Sequence, residues 1–339
     1  MAQSRMKMKR RILRWLEVGS YWSGLDWLFY WLNRKAKRTL CFHHVLPDDV
    51  FVPGVNGFEL KESDFRRCIR ELKRHFAFSN DLTDVRTITL TFDDGWRNQY
   101  ETAARVLCEE GDIPAILFVA GKMVDLNDPR QSLVDELLAN WISFAPPGSY
   151  EIVYENQTYE VQLPSRSVWR TVVRPLFEKD AANRGEKGVA AFDRAYPFAK
   201  VFARLSPEYL KLRLCGVRRE DLVELRRRGW TIGWHSRSHY PIKLLARDEQ
   251  EQELACPDFA DKEVMAYPYG SPDCVGQTAI EIVRETGYGR AVSFMEDPGK
   301  MLGRFFLPRM SVPCEKYALH FELSGLKYFV KTRRMLPVI

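Results

Sequence analysis

The run Thr87-Ile-Thr-Leu-Thr-Phe-Asp-Asp-Gly-Trp96 constrains this chain more than any other stretch. Thr87 to Phe92 mixes β-branched and apolar residues, the pattern of a short buried strand. Two carboxylates, Asp93 and Asp94, close it, and Gly95 supplies a turn. Neighbouring side chains on extended backbone point to opposite sides, so the two carboxylates are expected to play different parts, one holding a cation and the other staying free as a base. An Asp that caps the next helix is the plain alternative at such a turn. Asn98 to Glu110 then reads as a helix stopped by Gly111, and Ala115 to Val119 as a second strand. Strand, helix, strand at this spacing is a right-handed parallel unit.

The same unit recurs on both sides. Lys37 to Leu46 reads as a strand running into His43 and His44, and Asp64 to Phe76 has helical spacing. Further on, Asp221 to Arg228 is helical and Trp230 to Trp234 is a strand leading into His235-Ser-Arg-Ser-His239. Glu263 to Tyr267 leads into Pro268-Tyr-Gly270, Gln277 to Thr286 is a helix, and Arg290 to Phe294 a strand. Phe305 to Val312, with Arg309, is the last strand. Each polar cluster stands at the carboxyl end of a strand, where parallel α/β barrels build their active sites. The stretch 122–211 departs from this pattern. It offers a helix, Leu133 to Phe144, and a hairpin, Glu151 to Gln162, with no catalytic motif, and reads as a loop insertion. The expected order is a basic, Trp-rich helical segment (1–36), the first part of a barrel (37–121), the insertion (122–211), the second part of the barrel (212–313) and a basic amphipathic tail (314–339).

Composition removes other classes. With 45% hydrophobic and 28% charged residues the chain is globular, and its net charge of +6 comes without a dense basic run in the middle, which argues against a nucleic-acid groove. Seven cysteines, scattered and with no C-x-x-C pair, form neither a disulfide framework nor a zinc-thiolate site and suit a cytoplasmic protein. The N-terminus is basic from Lys7 to Arg14, and Ile12 to Leu32 is apolar with Trp15, Trp22, Trp27 and Trp31. Arg14, Glu17 and Asp26 interrupt it, so it fits neither a signal peptide nor a spanning helix. It either lies in a membrane interface or packs on the outside of the barrel. The tail from Leu326 to Leu336 is similarly basic and apolar. These ends suggest peripheral contact with the inner membrane surface.

His235 and His239, four residues apart after a strand, can share one metal ion, and a carboxylate would complete a set with open positions, suited to zinc or a similar divalent ion in hydrolysis. Two surface histidines are the ordinary alternative. Thr91-Phe-Asp-Asp-Gly95 and His235-Ser-Arg-Ser-His239 resemble, in order and in strand context, the first two motifs of the polysaccharide deacetylases (the NodB-homology group, carbohydrate esterase family 4). Tyr267-Pro-Tyr-Gly270 resembles the third motif. Phe42-His-His-Val45 and Leu307-Pro-Arg-Met310 resemble the opening and closing strands of one subgroup.

The resemblance implies an irregular (β/α)7-type barrel carrying a large loop insertion. It implies Asp94, His235 and His239 as metal ligands, Asp93 as base, the Tyr269 backbone N–H as an oxyanion donor and His43 as the acid for the leaving amine. Many relatives hold the base with an Arg two residues before the Pro of the third motif; Ala266 stands there, and Arg309 is the substitute candidate. Trp96 and Trp234, which flank the metal motifs, and Pro268 with Tyr269 are candidate substrate contacts, although packing beneath the loops suits the two tryptophans equally. The implied activity is removal of the N-acetyl group from an amino sugar in a saccharide or a lipid-linked precursor. The rivals are deformylation or another deacylation at the same residues, a non-catalytic carbohydrate-binding protein on the same fold, and a membrane-associated scaffold.

Overall fold

The computed structural model describes residues 2–54, 57–165, 167–295 and 299–338, with the side chains of 2–7, 9, 10 and 300 outside the description. Lys7, Lys9 and Arg10 of the expected basic cluster therefore have no described side chains.

Seven strands form the body: β1 (Arg38–Phe42), β2 (Thr87–Phe92), β3 (Ile116–Val119), β4 (Thr231–Trp234), β5 (Val264–Ala266), β6 (Arg290–Val292) and β7 (Met310–Ser311). All pair in parallel, in the order β6-β5-β4-β3-β2-β1-β7. Closure comes from the chain just before β7. Leu307 bridges Val292, donates its N–H to Ala291 O at 2.9 Å and accepts from Ser293 N at 2.8 Å. The fold is thus an irregular α/β barrel of the expected kind. Its strands are buried on both faces, which is why they read as near-continuous apolar runs.

Helices α1 (Ala2–Trp22) and α2 (Leu25–Leu32) precede the barrel. α3 (Glu62–Lys73) and α4 (Arg105–Glu109) connect β1 to β2 and β2 to β3. α5 (Val134–Phe144) opens the long connection from β3 to β4, which α6 (Arg219–Arg227) ends. α7 (Pro272–Glu285) joins β5 to β6, and α8 (Lys316–Leu323) and α9 (Leu326–Thr332) follow β7. α3 shows the packing rule: Phe65, Cys68, Ile69 and Leu72 recur at helical spacing and are all buried against Leu40, Phe42, Ile88 and Leu90. The β3–β4 connection has a core of its own around Trp141, Phe177 and Phe192, with the antiparallel hairpin Gly148–Tyr154/Gln157–Leu163 among its elements. That core reaches the barrel at Tyr240, Leu245 and Tyr269, so the connection leans over the carboxyl ends of the strands.

Three local expectations change. The expected strand Lys37–Leu46 breaks at His43 into β1 and a short piece, His44–Leu46, that pairs with Glu59–Lys61. The helix after β2 begins as a π-helical turn, Gln99–Ala104. The expected strand Phe305–Val312 shrinks to two residues, because Pro308 has no N–H for a ladder and Arg309 turns its side chain inward. At the ends of the chain, Asn33 Nδ2 donates to Ser324 O at 2.9 Å, its Oδ1 accepts from Leu336 N at 2.9 Å, and Arg38 Nε donates to Leu323 O at 2.8 Å. The C-terminal helices and the inner parts of α1 and α2 are tied to the barrel in this way.

Candidate active site

The carboxyl ends of β1, β2, β4 and β5 converge on a pocket of about 380 Å³, lined by His43, Phe58, Asp93, Asp94, Asp135, Glu136, Trp169, His235, His239, Tyr269 and Phe294. Asp93 and Asp94 do not point to opposite sides. The strand ends at Phe92, and Asp94 (φ 83°) and Gly95 (φ 88°) are left-handed, which swings Asp94 back into the pocket. Ser236, His239 and Tyr269 are also left-handed, at φ 64°, 56° and 59°. Such backbone costs energy in non-glycine residues and gathers where side chains must be aimed.

Two sub-clusters share the pocket. In the first, the Asp93 carboxylate receives both prongs of the Arg309 guanidinium, each at 2.6 Å. Arg309 is fixed in turn by Thr91 Oγ1 at 3.0 Å and Ser293 O at 2.8 Å. Burial pushes the Asp93 carboxyl up, but Arg309, His235 and His43 outweigh it and hold it below its ordinary value. The Cys41 Sγ lies 3.4 Å from the same carboxylate. His43, Cys41 and Asp93 lie close enough for their polar atoms to fall within 4.8 Å of one another. The His43 ring is stacked on Phe58 at 4.6 Å and meets Phe294 edge-on at 5.7 Å.

In the second, Asp94 Oδ1 faces His235 Nε2 at 3.3 Å and His239 Nε2 at 3.1 Å. Its other oxygen accepts from the Trp96 indole N–H at 2.8 Å. Each imidazole has an acceptor behind it: His235 Nδ1 lies 2.7 Å from Ala266 O, and His239 Nδ1 lies 3.3 Å from an Asp135 carboxylate oxygen. Both rings therefore aim Nε2 at Asp94. Among the described residues, Asp94 Oδ1 is buried with no hydrogen-bond partner beyond these two imidazole nitrogens. Burial opposes charge on Asp94, yet His239 and His235 hold it well below its ordinary value. A buried carboxylate oxygen facing two imidazole nitrogens, each with an acceptor behind its ring, is a donor set that fits a divalent cation.

The remaining candidates divide. His44 is fully buried, its ring tilted against Trp96 at 4.9 Å and its Nδ1 3.0 Å from Asn98 Nδ2; burial holds it well below its ordinary value. Of the two adjacent histidines, only His43 lines the pocket. Tyr269 packs its ring 5.0 Å from His239, and among the described residues no backbone carbonyl accepts from its N–H. Trp96 and Trp234 are corrected as sugar contacts. Both are buried, Trp96 serving Asp94 and Trp234 donating to Glu253 O at 3.0 Å, and neither lines this pocket. Pro268 is also buried and outside the pocket lining, its carbonyl accepting from Gly270 N.

Sequence reading missed several residues. Gln99 accepts from Gly95 N and Trp96 N and donates to His43 O at 2.7 Å and to Asp93 O, tying two site loops together. Glu253 accepts from Ser238 N and Oγ, each at 2.8 Å, and anchors the turn between the two pocket histidines. Asp135 and Trp169 come from the β3–β4 connection, and Phe58 and Phe294 from loops. None of these carries a motif; an acidic residue at the start of a helix was the one visible signal for Asp135.

The family model for polysaccharide deacetylase matches residues 80–148. No curated protein matches the sequence. Among solved structures, the Streptococcus pyogenes deacetylase PplD in complex with acetate is 14% identical with a TM-score of 0.48, over 89% of this chain and 98% of that one. IcaB from Ammonifex degensii is 15% identical with a TM-score of 0.47, over 86% and 97%. The Bacillus cereus polysaccharide deacetylase BC0361 is 12% identical with a TM-score of 0.47, over 84% and 68%. The family match falls on the Asp93–Asp94 motif, and the fold brings that motif, the two histidines and Tyr269 to one pocket. Over residues 80–148, the stretch that carries Asp93 and Asp94, the chain is similar to the polysaccharide deacetylases.

Proposed function

We propose that this protein removes the N-acetyl group from an amino sugar in a saccharide, with a divalent cation held by Asp94, His235 and His239. The observation that carries the reading is the pairing of Asp93 with Arg309 beside that donor set, with His43 in the same pocket. A cation bound there, zinc by donor preference, supplies Lewis-acid polarisation of the amide carbonyl and of water.

The residues do the rest. Asp93, kept ionised by Arg309, takes a proton from the attacking water. Water oxygen bonds to the carbonyl carbon, and the Tyr269 N–H donates to the oxygen as it gains charge. His43 gives a proton to the sugar nitrogen as the carbon–nitrogen bond breaks, leaving acetate and a free amine. Arg309 does what Ala266 cannot, holding the base by two hydrogen bonds. The walls of Phe58, Trp169 and Phe294 offer apolar faces to a sugar ring. A precursor carried on a lipid suits the basic, apolar ends of the chain.

The test is acetate release from an N-acetylglucosamine oligomer by metal-loaded protein, beside formate release from the N-formyl analogue. Acetate release lost in Asp93→Asn supports the reading. Formate release alone would change the acyl group and keep the residues. Neither product from metal-loaded protein would refute it.

A further inference from the structure

The terminal helices carry an apolar face that the barrel does not cover. Their inner side is docked: Tyr21 meets Tyr317 at 5.2 Å, Asp26 accepts from Ser20 and Ser324 at 3.2 Å each, and Phe29 meets Phe329 at 5.2 Å. Their outer side is not. Trp15, Trp22 and Trp31 are 78%, 72% and 59% exposed, with Ile12 and Leu28 also exposed. On α1, Met8, Ile12, Trp15 and Trp22 recur at steps of four, three and seven, which puts them on one stripe of the helix, with Arg11 at its edge and Arg14 off it. Residues 11 to 16 are exposed all round, so this part of α1 stands clear of the body.

We propose that this face docks on an anionic lipid surface. Charge separates this occupant from a second copy of the chain. Residues 1–36 hold eight Lys or Arg against two acidic residues, so this segment alone carries the formal excess of +6 and the other residues sum to zero. Two such faces would bring like charges together, whereas anionic headgroups complement them. Tryptophans suit the boundary between headgroups and acyl chains. Among the described residues no helix is long and apolar enough to cross a membrane, so the face lies on the bilayer. The inference rests on the terminal helices and is independent of the catalytic reading.

The test is sedimentation of full-length protein with vesicles of phosphatidylglycerol and phosphatidylcholine, or of phosphatidylcholine alone. Its comparison is a triple variant, Trp15→Ser with Trp22→Ser and Trp31→Ser, whose sites are exposed. The expected result is binding to the anionic vesicles that weakens at least tenfold in the variant, on neutral vesicles and at high salt, while hydrolysis of a soluble oligosaccharide is unchanged. Wild-type protein left in the supernatant with anionic vesicles, or equal binding by the variant, overturns the proposal. So does a lipid-free dimer that the triple substitution dissociates and that does not bind vesicles, which would make the face a self-association surface.

Discussion

The pocket and the outer face of α1 and α2 invert the usual distribution of residues in opposite senses. In the pocket, charged groups are buried: Asp93, Asp94 and Arg309 are each at most 3% exposed. On α1 and α2, large apolar groups are exposed. Burying a charge is costly unless it is paired, and the pocket answers with charged or polar partners at 2.6–3.3 Å. Among the described residues nothing covers the helical face. Both arrangements carry the proposals made above, one for a cation and a substrate, the other for a surface. The pocket is held by close geometry, so single substitutions there should have large effects. The face works by area and charge, so its single substitutions should have small ones.

The largest effects should come from the pocket. Asp93→Asn should keep the bound cation and lower kcat by about a hundredfold to ten-thousandfold, and His43→Ala should fall in the same range. Steady-state rates beside metal content by mass spectrometry check this. Near-native activity in His43→Ala would remove that residue from the reaction. Next, Arg309→Leu leaves the Asp93 carboxylate buried without its counter-charge. Breaking such a pair costs about 3–5 kcal/mol of stability. Because Arg309 holds the carboxyl below its ordinary value, the acid limb of kcat/KM should move to higher pH in the variant. An unmoved limb would show that Arg309 serves packing alone.

A smaller effect is expected behind the cation site. Asp135 lies 3.3 Å from His239 Nδ1, and Asp135→Asn should weaken metal affinity about ten- to a hundredfold, the usual cost of losing such a support. Calorimetric titration with zinc reads it; equal affinities would mean that the backbone alone aims His239. The smallest effect belongs to the docked side of α2. Burial pushes the Asp26 carboxyl from 3.8 up to about 6, against hydrogen bonds from Ser20 and Ser324. A carboxyl raised on folding favours the protonated native state. The resulting penalty is absent below pH 3.8, grows between there and pH 6, and is complete above it. Asp26→Asn should therefore raise stability by about 1–2 kcal/mol at pH 7.5, with the gain fading by pH 4. Denaturant unfolding at both pH values would show a constant difference if the shift is absent.

The barrel was legible because its strands are short apolar runs ended by polar clusters, a pattern that β1 to β6 follow closely. The aim of individual side chains was less so. Trp96 and Trp234 stand beside the metal motifs in sequence, but adjacency does not tell whether an indole turns to the pocket or beneath it; the left-handed Asp94 and Gly95 decide that for Trp96. The same two residues defeated the alternation argument for Asp93 and Asp94. Arg309 could be proposed only because a small residue, Ala266, left the base without a holder. Gln99 and Glu253 were invisible, and Asp135 showed only as an acidic residue in a helix's first turn, because each acts through a neighbour distant in sequence or across a turn.

The central claim is that one cation site and one ionised base act together in this pocket. Its most direct test is acetate release from an N-acetylglucosamine oligomer by wild-type protein after chelation and after return of zinc, with Asp94→Ala carried in parallel. The account predicts that chelation abolishes release, that zinc restores it in the wild type, and that Asp94→Ala neither binds zinc at this site nor recovers activity. Full acetate release by the metal-free wild type, or by Asp94→Ala, would contradict it.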